Sequence, residues 1–136
     1  MVENNVSETH WQEFFEHEFI GNWGFKSGVA QCKTIDKIDR QEMFNPGTNQ
    51  LETKPVLHFI GEELKMVLNV TNSERIESIH GKWVEGWHGK RIAIYLSETT
   101  VAGVTKPCLR VGTKEPPPDV DTVDISAHIA NMMKRD

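Results

Sequence analysis

The chain of 136 residues has only two cysteines, Cys32 and Cys108, a single tyrosine, and no apolar run near the ~20 residues that a membrane-spanning helix needs. Two cysteines cannot build the disulfide framework of a small secreted domain, so the expectation is reduced thiols in a cytoplasmic protein. No basic segment followed by an apolar stretch marks a secretory signal. Also missing are a phosphate-cradling glycine loop, an H-E-x-x-H pair and a nucleophile elbow. No catalytic residue is therefore expected, and the chain reads as a non-enzyme. There are six histidines, but His10 and His17, or His80 and His88, lack the tight spacing of zinc ligands and no cysteine joins them. Neither a metal nor another cofactor is expected.

Basic residues are missing from one region in particular. Residues 1–25 carry Glu3, Glu8, Glu13, Glu16 and Glu18 with no Lys or Arg, whereas residues 26–113 hold 12 basic against 10 acidic side chains. Residues 114–136 return to 3 basic against 5 acidic. The net charge of −5 therefore sits at the ends, and the centre is weakly positive. Such a centre permits phosphate binding, and the acidic ends would compete for the same basic face at low salt.

Hydrophobic residues make up 38% and charged residues 26%, which suits a single domain with a packed core. The order of elements follows from periodicity. Trp11, Phe14, Phe15 and Phe19 fall at helical spacing after a Thr9–Gln12 capping box. From Val29 the period becomes that of a strand, with the alternation breaking near Thr34-Ile35 in the manner of a bulge. Turn residues 45–50 precede a second strand over 53–60, and a third runs over 65–69. Thr71 and Glu74 suggest a capping box for a helix over 72–80 that Gly81 stops. A fourth strand over 91–97 buries Ile92, Ile94 and Leu96. After a turn at Ala102-Gly103, a fifth over 106–111 buries Leu109 and Val111. Pro116-Pro117-Pro118 then reads as an extended spacer before a short helix carrying Ile125, Ile129, Met132 and Met133 on one face.

This β-β-β-α-β-β order is that of a mainly β, five-stranded OB-fold-like barrel, with an SH3-like barrel as the main alternative. Three regions follow: 1–28 as an N-terminal amphipathic helix and loop, 29–113 as the barrel, and 114–136 as proline linker and C-terminal helix. The helix over 72–80 is expected to seal one end of a closed or nearly closed barrel.

The densest chemical signal is aromatic and basic. Trp83, Trp87, His88, Lys90, Arg91 and Tyr95 crowd one stretch, Lys54 and His58 lie on the second strand, and Arg110 on the fifth. Single-strand binders use this mixture, with cations tracking phosphates and flat side chains stacking on bases. Trp87 reads as a core plug beside Gly89, and His58 rather than Phe59 faces outward. Lys54, His58, Lys90, Arg91, Tyr95 and Arg110 are therefore the candidate nucleic-acid-binding residues, with Tyr95 as the stacking group.

The segments Lys54-Pro-Val-Leu-His-Phe-Ile-Gly61, Met66-Val-Leu-Asn-Val-Thr-Asn72, Ile79-His-Gly81, Trp87-His-Gly-Lys-Arg-Ile-Ala-Ile-Tyr95 and Leu109-Arg-Val111 carry a resemblance. Over roughly 29–111 the chain resembles a family of small phage and prophage proteins of the replication and recombination region, OB-fold and single-stranded-DNA-binding-like. The resemblance implies single-stranded DNA as partner, a bacterial host cytoplasm as location, and Lys90 and Arg110 as the residues that match the family pattern. The alternative is a protein-interaction module on the same barrel, an inhibitor of a host defence complex or an adaptor for a replication enzyme. It would use the aromatic N-terminal and Met-rich C-terminal helices toward a host or phage protein. No membrane partner is expected, and homo-oligomer formation is left open.

Overall fold

A computed structural model describes residues 17–125. Seven elements follow one another: β1 (Val29–Asn45), β2 (Gln50–Phe59), β3 (Met66–Val67), α1 (Val70–His80), β4 (Arg91–Val101), β5 (Val104–Val111) and β6 (Thr122–Asp124). The protein is thus mainly β with one internal helix, as the periodicity indicates. The expected helix around Trp11 to Phe15 lies outside the described residues, as do Ile129, Met132 and Met133 of the C-terminal one; its expected start is instead extended, with Asp124 in β6 and the Ile125 N–H on Gly28 O at 2.8 Å. Phe19, expected on the N-terminal helical stripe, instead forms an isolated parallel bridge with Lys65.

All named strands pair antiparallel, in the order β3-β2-β1-β4-β5. The 17-residue β1 serves both halves of the sheet. Gln31–Thr34 pair with β4, and Ile35–Asn45 pair with β2 after a register shift between Ile35 and Lys37. That shift is the break in alternation visible in the sequence, and a bulge of this kind bends a strand so that its two halves can serve different neighbours. Two long hairpins result. The β1–β2 arm ends at the Pro46–Asn49 turn, and the β4–β5 arm at Ala102-Gly103, where φ is +53° and +79°. Two consecutive positive φ values mark the turn whose twist matches antiparallel strands.

The sheet is not closed into the expected barrel by strand pairing. β3 is only two residues long, and among the described residues neither it nor β5 has a strand on its far side. Helix α1 occupies this gap. The Asn72 side chain donates from Nδ2 to Leu109 O at 3.0 Å and accepts from Val111 N–H at 2.9 Å, so one amide side chain stands in for a peptide group along β5. The helix starts two residues before the expected position. Its cap is Asn69, whose Oδ1 accepts from Asn72 N–H at 2.8 Å, and Gly81 stops it at φ +90°.

Inside, Ile35, Leu57, Ile76, Ile92, Ile94 and Val111 are fully buried, and Trp87 is 4% exposed among them. The Trp87 Nε1–H donates to Gly81 O at 2.8 Å, which satisfies the indole and pins the helix exit to the core. Phe59 is in the core while His58 is on the outward side of β2. Lys33 is buried at 8% exposure, with its ammonium on Glu62 at 2.5 Å.

After β5 the chain does not leave as a spacer. Pro116 is buried, and β6 adds to β1 through Val29↔Asp124, Ala30↔Val123 and Gln31↔Thr122. Gln31 also pairs with Ile94, so β6 takes the edge of β1 opposite β4. The sequence pattern misses β6 because three residues are too few to show a period.

Candidate nucleic-acid interface

Directly opposed residues of an antiparallel pair share one face. Arg91 is opposite Thr34, Ala93 opposite Cys32, and Tyr95 opposite Arg110, all on the side away from Ile92 and Ile94. The structure thus brings together three of the six sequence-derived candidates, Arg91, Tyr95 and Arg110, on the outer face of β4 and β5.

Each is held differently. Arg91 Nη1 donates to Thr34 Oγ1 at 3.3 Å and Nη2 to the Val120 carbonyl, so the returning chain anchors this guanidinium. Arg75, on α1, donates from Nη1 to Tyr95 Oη at 2.8 Å and to Val111 O at 2.9 Å. Tyr95 is therefore half-buried and positioned, rather than freely exposed as the alternation suggested. Arg91 Nε and Arg110 Nη1 are buried nitrogens with no hydrogen-bond partner. The ion pairs among the described residues involve Lys33, Lys54, His58 and His88, and none of these three arginines. Cys32, beside Arg91, has its thiol pushed up by burial against the opposing pull of that guanidinium.

Between this face and the returning chain lies a cleft of about 340 Å³. Ala30, Ala93 and Tyr95 form its sheet side, and Pro116 and Pro117 its other wall. Arg75, Lys114 and Glu115 stand along its length. A volume above about 300 Å³ with an apolar lining and few polar groups is that of a site for a small-molecule-sized group.

The other candidates lie elsewhere. Lys54 and His58 are on the outward side of β2, each with a carboxylate partner. Lys54 Nζ lies 3.3 Å from Glu52 Oε1, and Asn45 Nδ2 donates to Glu52 Oε2 at 3.1 Å; both hold the Glu52 carboxyl below its ordinary value. His58 Nε2 lies 3.1 Å from Asp39 Oδ2 and lowers the Asp39 carboxyl in the same way. The Lys90 side chain is exposed at the start of β4, where its backbone O accepts from Ile35 N–H at 2.8 Å.

Two residues that line the cleft were not anticipated. Arg75 was legible in principle, because it follows Asn72 by three residues and so shares its helix face. Lys114 was not, because only the return of the chain through β6 brings it to the sheet.

No family model, curated protein or solved structure matches the chain. Among the described residues, no group of three His, Cys, Asp or Glu side chains could hold a metal ion, and no helix is long and apolar enough to cross a membrane.

Proposed function

We propose that the protein is a non-enzymatic single-stranded nucleic-acid binder with an OB-like architecture, which seats a nucleotide in the cleft beside Tyr95. One observation carries the reading: Tyr95 lines a mostly apolar cleft, and Arg75, the guanidinium that lines it with Tyr95, takes part in no ion pair among the described residues. A half-buried cation without a paired anion is costly, and a phosphate would offset that cost. In this reading Tyr95 stacks on the base, while Arg75, Arg110 and Lys114 meet phosphate oxygens. Arg91 shapes the face from below, and Lys90 adds an exposed charge at the start of β4.

The strand order supports the same reading. A β3-β2-β1-β4-β5 path with a helix between β3 and β4, and long β1–β2 and β4–β5 arms, matches the OB plan, whose sheet face and corresponding loops bind oligonucleotides. Lys54 and His58 are then peripheral, since their carboxylate partners already compensate them. A role in phage replication or recombination rests on the sequence resemblance alone.

The test is fluorescence anisotropy of labelled oligo-dT, with a duplex of equal length as control, at two salt concentrations. Binding of the single strand in preference to the duplex, weakening as salt rises, is expected. No anisotropy change with oligo-dT even at low salt would reject the reading.

A further inference from the structure

The chain that follows β5 crosses the sheet before it pairs again. The Gly112 N–H donates to Ala93 O at 2.8 Å, which keeps Gly112 beside β4 on its β5 side. By Asp121 the chain has reached the opposite edge of β1, where its carbonyl accepts from Cys32 N–H at 2.8 Å and β6 begins. Residues 113–120 therefore bridge β4 and β1. They do so over the outer face, because Arg91 on that face donates to Val120 O, and Pro116 and Pro117 line the cleft with Ala93 and Tyr95. This strap is fixed along its course. Pro116 is buried, β6 keeps register with β1 from Val29 to Gln31, and the Ile125 N–H donates to Gly28 O at 2.8 Å.

The crossing makes the Tyr95 cleft a dead end. Arg91, which holds the strap, follows Tyr95 back along β4 by only about 13 Å at the rise of a strand. Val123 and Ile125 close the β6 side, and Arg75, bonded to Tyr95 Oη, stands on the β5 side. Among the described residues none of β4 beyond Tyr95 lines the cleft, so its mouth faces the β4–β5 arm. At about 340 Å³ it lies at the low end of small-molecule sites, a size that suits one nucleotide.

A single strand can meet such a site in two ways. An internal nucleotide would have to be flipped in, with its backbone entering and leaving through the one mouth. A terminal nucleotide needs only one backbone connection to leave. The charges favour the second way. Arg75 and Lys114 line the cleft against one carboxylate, Glu115, and neither cation takes part in an ion pair among the described residues. An internal phosphodiester brings a single negative charge, whereas a terminal phosphate monoester brings nearly two and three strong acceptor oxygens. Building on the single-strand reading above, we infer that the cleft takes the phosphorylated end of a single strand, and that the strap over residues 113–120 excludes internal segments.

The test titrates the full chain with linear oligo-dT phosphorylated at one end or the other, with unphosphorylated linear oligo-dT, and with a covalently closed circle of the same length. Tyr95 is the only tyrosine, so fluorotyrosine labelling gives one fluorine resonance that reports on the cleft. A phosphorylated linear strand should bind about tenfold or more tightly than the circle and should move that resonance. Lys114→Ala, at an exposed position, should keep the fold by circular dichroism and reduce the preference for the phosphorylated end. A circle that binds as tightly as the phosphorylated linear strand overturns the end assignment and leaves the single-strand reading in place. An end preference with a stationary fluorine resonance overturns the cleft as its seat. Binding of no oligonucleotide in any form removes the single-strand reading itself, and the end assignment with it.

Discussion

Asn72 and Val111 meet through a side-chain amide and a backbone N–H at 2.9 Å, both buried, at the edge of β5 that no strand among the described residues covers. A strand in this place would offer β5 an alternating row of donors and acceptors. Asn72 offers one of each, to Leu109 O and Val111 N–H, and Arg75 one turn later offers a further donor to Val111 O. The helix is thereby fixed in register with β5, and the same Arg75 reaches Tyr95. The join between α1 and β5 and the placement of the candidate site thus depend on one helix face.

Replacing Asn72 by Leu keeps the branched shape and removes both hydrogen bonds, leaving two backbone groups of β5 unsatisfied at about 1–3 kcal/mol each. Urea denaturation should show a loss of roughly 2–4 kcal/mol with the m-value unchanged. A loss below about half a kcal/mol, the range of ordinary surface substitutions, would mean that the amide does not hold the gap.

Tyr95→Phe separates positioning from stacking. The variant retains the ring and removes one acceptor from Arg75, which still has Val111 O. Stability should fall by about 1 kcal/mol, while oligo-dT affinity changes far less than in Tyr95→Ala. Equal losses of affinity in the two variants would assign the role to the hydroxyl instead of the ring.

Ala102 occupies a left-handed conformation at φ +53° in the two-residue turn of the β4–β5 arm. Asn-Gly is the preferred pair for such a turn, and a non-glycine residue other than Asn or Asp pays about 1–2 kcal/mol there. Ala102→Asn should therefore raise the thermal midpoint by a few degrees. An unchanged or lowered midpoint would argue that the arm tip adopts another turn.

Asp39 and Glu52 both lie on the β1–β2 arm, and both carboxyls are held below their ordinary values of 3.8 and 4.5. A depressed folded value means that the unfolded state binds the proton more readily. Their contribution is thus complete above the ordinary values and is lost as the pH falls through the depressed ones. Both groups are solvated, so the effect is local. Hydrogen-exchange protection of arm amides should fall relative to core amides between about pH 4.5 and 3. A constant ratio across that range would mean that these contacts do not steady the arm.

What the sequence revealed, and what it concealed, divide by range. The alternation of Ile92, Ile94 and Val111, the plug at Trp87, the outward His58 and the turn at Ala102-Gly103 all follow from local period or local φ, and all are in the structure. The full length of the two arms was not visible, because past Ile38 and Ser97 the strands are half-exposed and polar, with little apolar alternation to follow. Nor was the unclosed gap, since a two-residue β3 leaves almost no signal and the closing role of Asn72 depends on β5, 37 residues away. The candidate site shows the same division. Arg91, Tyr95 and Arg110 share a face because adjacent strands keep register, whereas Lys54 and His58 found carboxylates that no spacing rule identifies.

The central claim is that the Tyr95 cleft and the arginines beside it seat a single strand. The most direct measurement is the affinity of folded Tyr95→Ala and Arg110→Ala for labelled oligo-dT over a salt series, beside the parent. Tyr95→Ala should lose about 1–3 kcal/mol with little change in salt slope. Arg110→Ala should flatten the slope by about 0.7, as one lost phosphate contact on a single strand requires. Two folded variants that bind with the parent's affinity and the parent's slope would contradict the account.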